Sequence, residues 1–131
     1  MKRLTGGLVF MAALLYAAAG MAFELPAVFG DHMVLQQKQR VAFWGTAPAG
    51  EKVTLAASWG ASSAALADQN GKWRAYLKTP AAGGPFTVTV TSPTGTKKFE
   101  DVLIGEVWIC SGQSNMEMPL RGWPPNDPIA D

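Results

Sequence analysis

Two serines, Ser111 and Ser114, stand in the stretch GEVWICSGQSNMEMPL that runs from Gly105 to Leu120. A serine hydroxyl attacks a carbonyl when a base takes its proton and nearby N–H groups receive the charge that develops on oxygen. The surroundings of Ser114 suit that task. Gly112 would let the backbone approach a substrate, Gln113 and Asn115 flank the hydroxyl, and the N–H of Ser114 itself could face an oxyanion. The spacing is not the Gly-x-Ser-x-Gly elbow, because Met116 occupies the place of the second glycine. A serine in a Gly/Asn loop also serves as a turn or cap residue. Spacing alone favours the turn, and both readings stay open at this point.

A nucleophilic serine requires a base. The only histidine, His32, lies far upstream in FGDHMVL, where it reads as a polar turn residue before a short strand, MVLQQ. Glu106, Glu117 and Asp127 are nearer in sequence, but a plain carboxylate is a poor base for a serine hydroxyl. The only cysteine, Cys110, excludes an intrachain disulfide, and its VWIC setting is that of a buried, inert thiol. One His and one Cys supply no metal-ligand cluster. Acyl transfer through a serine needs neither a metal nor an organic cofactor, and none is expected.

The elements that would position this loop are legible in the rest of the 131 residues. Lys2 and Arg3 precede an uncharged apolar run that ends in Gly20-x-Ala22, the pattern of a cleavable signal peptide over residues 1–22. The run is short for a membrane span, so a periplasmic or secreted protein without a stable membrane anchor is expected. A net charge of +1 gives no electrostatic reason for nucleic acid as a partner. Five Trp are many for this length; most fall in alternating patterns that point to a core, although Trp also stacks on sugar rings.

From Phe23 to Ile104 the chain reads as short strands between turns. RVAFWGTA, KVTLAASW, ASSAALAD, KWRAYLKT, FTVTVTS and KFEDVLIG alternate apolar with polar residues to different degrees. KWRAYLKT sets Trp73, Ala75 and Leu77 on one face and Lys72, Arg74, Tyr76 and Lys78 on the other. Asn70-Gly71 is a hairpin signal in which both turn positions accept positive φ, and PAAGGP is a breaker. Together these predict an antiparallel β-sandwich over residues 23–104. At Gly105 the texture changes: EVWIC is continuously apolar, as in a strand buried on both faces of an α/β sheet. Four prolines beyond it exclude a long regular helix.

The loop and several upstream blocks together resemble one family. GEVWICSGQSNMEMPL is similar to the nucleophile block of the sialate O-acetylesterases, members of the SGNH (GDSL-like) hydrolases. LPAVFGDHMVLQQ, VAFWGTAPAGEKVTL, ADQNGKWRAYLKTPAAGGPFTVTV and FEDVLIGEVWIC resemble, in order, the N-terminal half of those enzymes. The similarity runs from Leu25 to Leu120.

The resemblance implies secreted hydrolases that remove O-acetyl esters from sialic acids or related acetylated sugars. It assigns the nucleophile to Ser114, not Ser111, with the Ser114 N–H as one oxyanion donor and Gly112, Gln113 and Asn115 supporting the loop. In the family a Gly and an Asn from later blocks complete the oxyanion hole, and a His oriented by an Asp in a late Asp-x-x-His block is the base. Nothing resembling those later blocks occurs here. The expected architecture is therefore mainly β: an accessory antiparallel β-sandwich, then residues 105–131 as the opening strand and nucleophile loop of a truncated SGNH-type α/β domain, inactive alone. The reading from another class is a standalone β-sandwich that binds a glycan or a protein.

Overall fold

The computed structural model describes residues 22–113 and Met116. The expected signal segment up to Met21, Ser114, Asn115 and the proline-rich tail lie outside the described residues. Seven strands follow in order: β1 Val34–Gln36, β2 Arg40–Thr46, β3 Lys52–Ala57, β4 Ser62–Leu66, β5 Lys72–Lys78, β6 Gly83–Ser92 and β7 Gly95–Gly105. One sheet has the order β1-β7-β6-β3-β4, and β2 pairs with β5 in a second. The fold is mainly β, as expected.

Both sheets contribute to one apolar core. Phe43 from β2, Leu77 from β5, Val53 and Leu55 from β3, Val88 and Val90 from β6 and Val102 from β7 are fully enclosed. Each such side chain contributes about 1.5–3 kcal/mol relative to an exposed one. The alternation predicted for β3 and β5 is present, with Trp73, Ala75 and Leu77 buried and Lys72, Arg74, Tyr76 and Lys78 exposed. Phe29 stacks on Phe43 with ring centroids 4.7 Å apart, closing the core beside β2.

Several expectations require correction. The pairing is not wholly antiparallel, because β1 runs parallel to β7 with Val34 opposite Leu103. A parallel pair needs a long crossover, and here nearly the whole domain supplies it. The turn at Asn70-Gly71 does not join two strands of one sheet. Only Gly71 has positive φ, and the Asp68 carboxylate holds the turn by accepting the Asn70 and Lys72 N–H groups. β4 stays with β3, and β5 crosses to β2.

The last three residues of the presumed breaker before FTVTVTS belong to β6, which begins at Gly83 and passes through a cis Gly84–Pro85 bond and two register shifts against β7. Gly84 has φ of 131° there, and a Cβ would lie 2.9 Å from the Val102 carbonyl oxygen. Glycine is the residue that fits.

The largest correction concerns EVWIC. β7 ends at Gly105, and Glu106 to Cys110 form no strand. Trp108 is 82% exposed and Ile109 93%. Cys110 is exposed rather than buried. An apolar run needs a partner face to become a buried strand, and among the described residues none covers it.

Candidate functional site

The 11-residue strand β7 carries the chain to the serine loop, and its exit is anchored from β1. Gln36 is in register with Gly105, and the Gln37 N–H donates to the Gly105 carbonyl at 2.8 Å. Beyond the strand the side chains take over. Gln36 Nε2 donates to one oxygen of Glu106 at 2.9 Å, and Gln37 Nε2 donates to the other at 2.5 Å. The Gln36 amide oxygen accepts the Val107 N–H at 2.8 Å, and the Gln37 amide oxygen accepts that of Ala82 at 3.0 Å. Both amides are thus used at both ends. The donors from Gln36 and Gln37 hold the Glu106 carboxyl below its ordinary pKa, because they stabilise the charged form.

This anchor was not foreseen. MVLQQ shows an inward Leu35 and two polar neighbours, but their partner Glu106 lies 70 and 69 residues away. The only available signal was that Glu106 and both glutamines sit at strand ends.

Six residues lie between Val107 and Ser114. Ser111, Gly112 and Gln113 are exposed, and Ser114 and Asn115 lie outside the described residues. The Gln113 carbonyl accepts the Met116 N–H at 2.9 Å. A Cβ on Gly112 would lie 2.8 Å from Met116 Cγ, so the absence of a side chain lets Met116 fold back on the loop.

His32 is held elsewhere. It sits in a turn with φ of 64°, and its Nδ1 meets Asp101 Oδ2 at 2.6 Å. That hydrogen bond, reinforced by the Asp101 charge, raises its pKa above 6.5. Asp101 lies four residues before Gly105, roughly 13 Å along an extended strand. Among the described residues, no histidine or carboxylate side chain is hydrogen-bonded to residues 111–113, and no group of three His, Cys, Asp or Glu is placed to hold a metal. No helix among the described residues is long and apolar enough to cross a membrane.

Comparison with known proteins identifies the context of this geometry. No family model matches the chain. The mouse protein named sialate O-acetylesterase is 34% identical over 113 residues, which cover 79% of this chain and 21% of that protein. The human protein of the same name is also 34% identical over 113 residues, covering 79% and 22%. Over most of its length the chain is thus similar to proteins named sialate O-acetylesterase. Among solved structures, a carbohydrate acetylesterase from Xanthomonas citri superposes with a TM-score of 0.68 at 36% identity, covering 75% of this chain and 22% of that one. This sialate O-acetylesterase relative thus spans about a fifth of the length of the proteins it matches. Gln36, Gln37 and Glu106, which anchor the exit of β7, fall in two of the blocks that carry the resemblance.

Proposed function

We propose that this chain is the N-terminal part of a secreted or periplasmic carbohydrate esterase that removes O-acetyl groups from sialic acids or related sugars. The sequence similarity carries this reading, since relatives at 34–36% identity are named as acetylesterases. Ser114 attacks the acetyl carbonyl, its proton passes to a base, and its backbone N–H receives part of the oxyanion charge. The sugar hydroxyl leaves with a proton, and water then releases acetate from the acetyl-serine.

In this scheme the two-sheet domain is an accessory β-sandwich, and its contribution is the anchored exit of β7. The exposed Val107 to Cys110 run supports a further role: the opening strand of the SGNH-type α/β unit that bears the rest of the site. His32 is committed to Asp101, so the base comes from the four fifths of the relatives that lie outside the match. A segment cleaved after Ala22 accounts for export.

The test is a chimera in which this chain replaces the matched region of the Xanthomonas citri enzyme. Acetate release from an O-acetylated sialic acid is expected, with loss in Ser114→Ala. Activity that survives Ser114→Ala contradicts the assignment. The 131-residue chain alone should hydrolyse p-nitrophenyl acetate no faster than its Ser114→Ala variant.

A further inference from the structure

We propose that the outward side of β1 and β7 is the surface on which the rest of the enzyme docks. The inference deepens the esterase reading and rests on it, because the occupant is the α/β unit into which β7 leads.

Ten large apolar side chains are exposed among the described residues. Five of them, Val34, Leu103, Val107, Trp108 and Ile109, stand on β1, on β7 or directly after it. Trp44, Leu66 and Tyr76 lie singly on other strands, which is ordinary for a protein surface.

Register sets the first two of the five. Val34 lies opposite Leu103 in the parallel pair, and their neighbours Leu35 and Ile104, also opposite each other, are buried in the core. Successive strand side chains alternate between faces, so Val34 and Leu103 share the outward one, where they are 47% and 42% exposed. Leu103 lies over Gly84 of β6, where a Cβ would stand 3.0 Å from Leu103 Cδ2, and the exposed Pro85 follows.

Polar pairs frame this apolar centre along both strands. Two residues before Val34 and Leu103, His32 meets Asp101; two residues after Val34, Gln36 meets Glu106. An apolar centre with a polar rim is the anatomy of an interface. Gln36 also joins the patch to the exit of β7, since its amide oxygen accepts the Val107 N–H at 2.8 Å.

The occupant follows from where the chain goes. β7 ends at Gly105, on the border of this face, and the matched region is only 21–22% of the length of the relatives. A unit joined through residues 107–113 is tethered within a few residues of the patch. Its effective concentration there far exceeds that of a second copy or a free partner. Docking on this face covers Val34 and Leu103 with the same body that takes Val107 to Ile109 as its strand.

The test introduces Val34→Cys, Leu103→Cys or, as a control at the opposite edge of the same sheet, Leu66→Cys, each beside Cys110→Ser. Maleimide labelling rates are compared between the 131-residue chain and the chimera with the Xanthomonas citri enzyme. In the chain alone all three positions should label readily. In the chimera positions 34 and 103 should label about tenfold or more slowly, and position 66 at an unchanged rate. Equal rates at 34 and 103 in the two proteins overturn the proposal. So does protection at 34 and 103 in the chain alone that is lost on dilution, which gives the face to a second copy.

A second measurement needs no chimera. Leu103→Thr should lower binding of an apolar fluorescent dye to the chain about twofold and leave its thermal midpoint unchanged. An unchanged dye signal also overturns the proposal. Acetate release reports on Ser114 and labelling reports on the face. A chimera that is inactive but protected at 34 and 103 defeats the esterase reading alone, and one that is active but unprotected defeats the docking surface alone.

Discussion

Gln36 and Glu106, seventy residues apart in sequence, meet at 2.9 Å where β7 gives way to the serine loop. Because Gln36 also accepts the Val107 N–H at 2.8 Å, one amide from β1 fixes both a side chain and the backbone of the exit. Gln36→Ala should therefore speed hydrogen exchange at Val107 by roughly five- to tenfold, the size of one net hydrogen bond. An unchanged rate at Val107 would show that the exit is held by other means.

The same anchor has a pH dependence. The Glu106 pKa is lowered on folding by the two glutamine amides, so its contribution is present above the ordinary carboxylate pKa and is lost as pH falls through the depressed one. Protection at Val107, after correction for intrinsic exchange, should be constant near neutrality and fall on the acid side of the carboxylate range. In Glu106→Gln that acid step should be absent.

His32 titrates in the opposite sense. Its pKa is raised by Asp101, so the pair stabilises the fold fully below the ordinary histidine pKa and ceases to do so as pH rises through the elevated value. Asp101→Asn should bring the His32 pKa, followed by its ring proton shifts, down toward 6.5. A pKa unaffected by the substitution would contradict the pairing. Asparagine is chosen because position 101 has φ of 51°, which Asn tolerates.

Thr79 ties the end of β5 to the segment between β1 and β2. Its buried hydroxyl donates to the Gln36 carbonyl at 2.6 Å and accepts the Gln39 N–H at 3.1 Å. Thr79→Val strands both backbone groups and should cost about 1–3 kcal/mol in thermal or urea unfolding. Thr79→Ser should retain most of that stability.

These cases show what the sequence could disclose. Period-two patterning in KWRAYLKT assigned each β5 side chain to its face, because that choice is local. The parallel pairing of β1, the sheet change after Asp68 and the glutamine anchor were not legible, since each depends on partners that local patterning does not specify. The exposed Cys110 departs from the buried thiol read from its apolar setting for a related reason: hydrophobicity predicts burial only where a covering surface exists. At the candidate site, Ser114 was singled out by resemblance to other sequences, and spacing alone would have left it a turn residue.

Gly45 offers a check on how the Glu24 segment is held against β2. A Cβ there would lie 2.2 Å from the Glu24 carbonyl oxygen, so Gly45→Ala must push the Glu24 segment off β2. A loss of about 1–3 kcal/mol is expected, with faster exchange at the Glu24 N–H that donates to Thr46. Wild-type stability and exchange would mean that the segment shifts at no cost.

The central claim is that Ser114 is the acyl-accepting nucleophile. The most direct measurement is mass spectrometry of the chimeric enzyme after reaction with a fluorophosphonate, which forms a stable adduct with an activated serine. The account predicts a single adduct on the peptide containing Ser114, absent in Ser114→Ala and unaffected in Ser111→Ala. An adduct on Ser111, or activity toward O-acetylated sugar with Ser114 unlabelled, would contradict it.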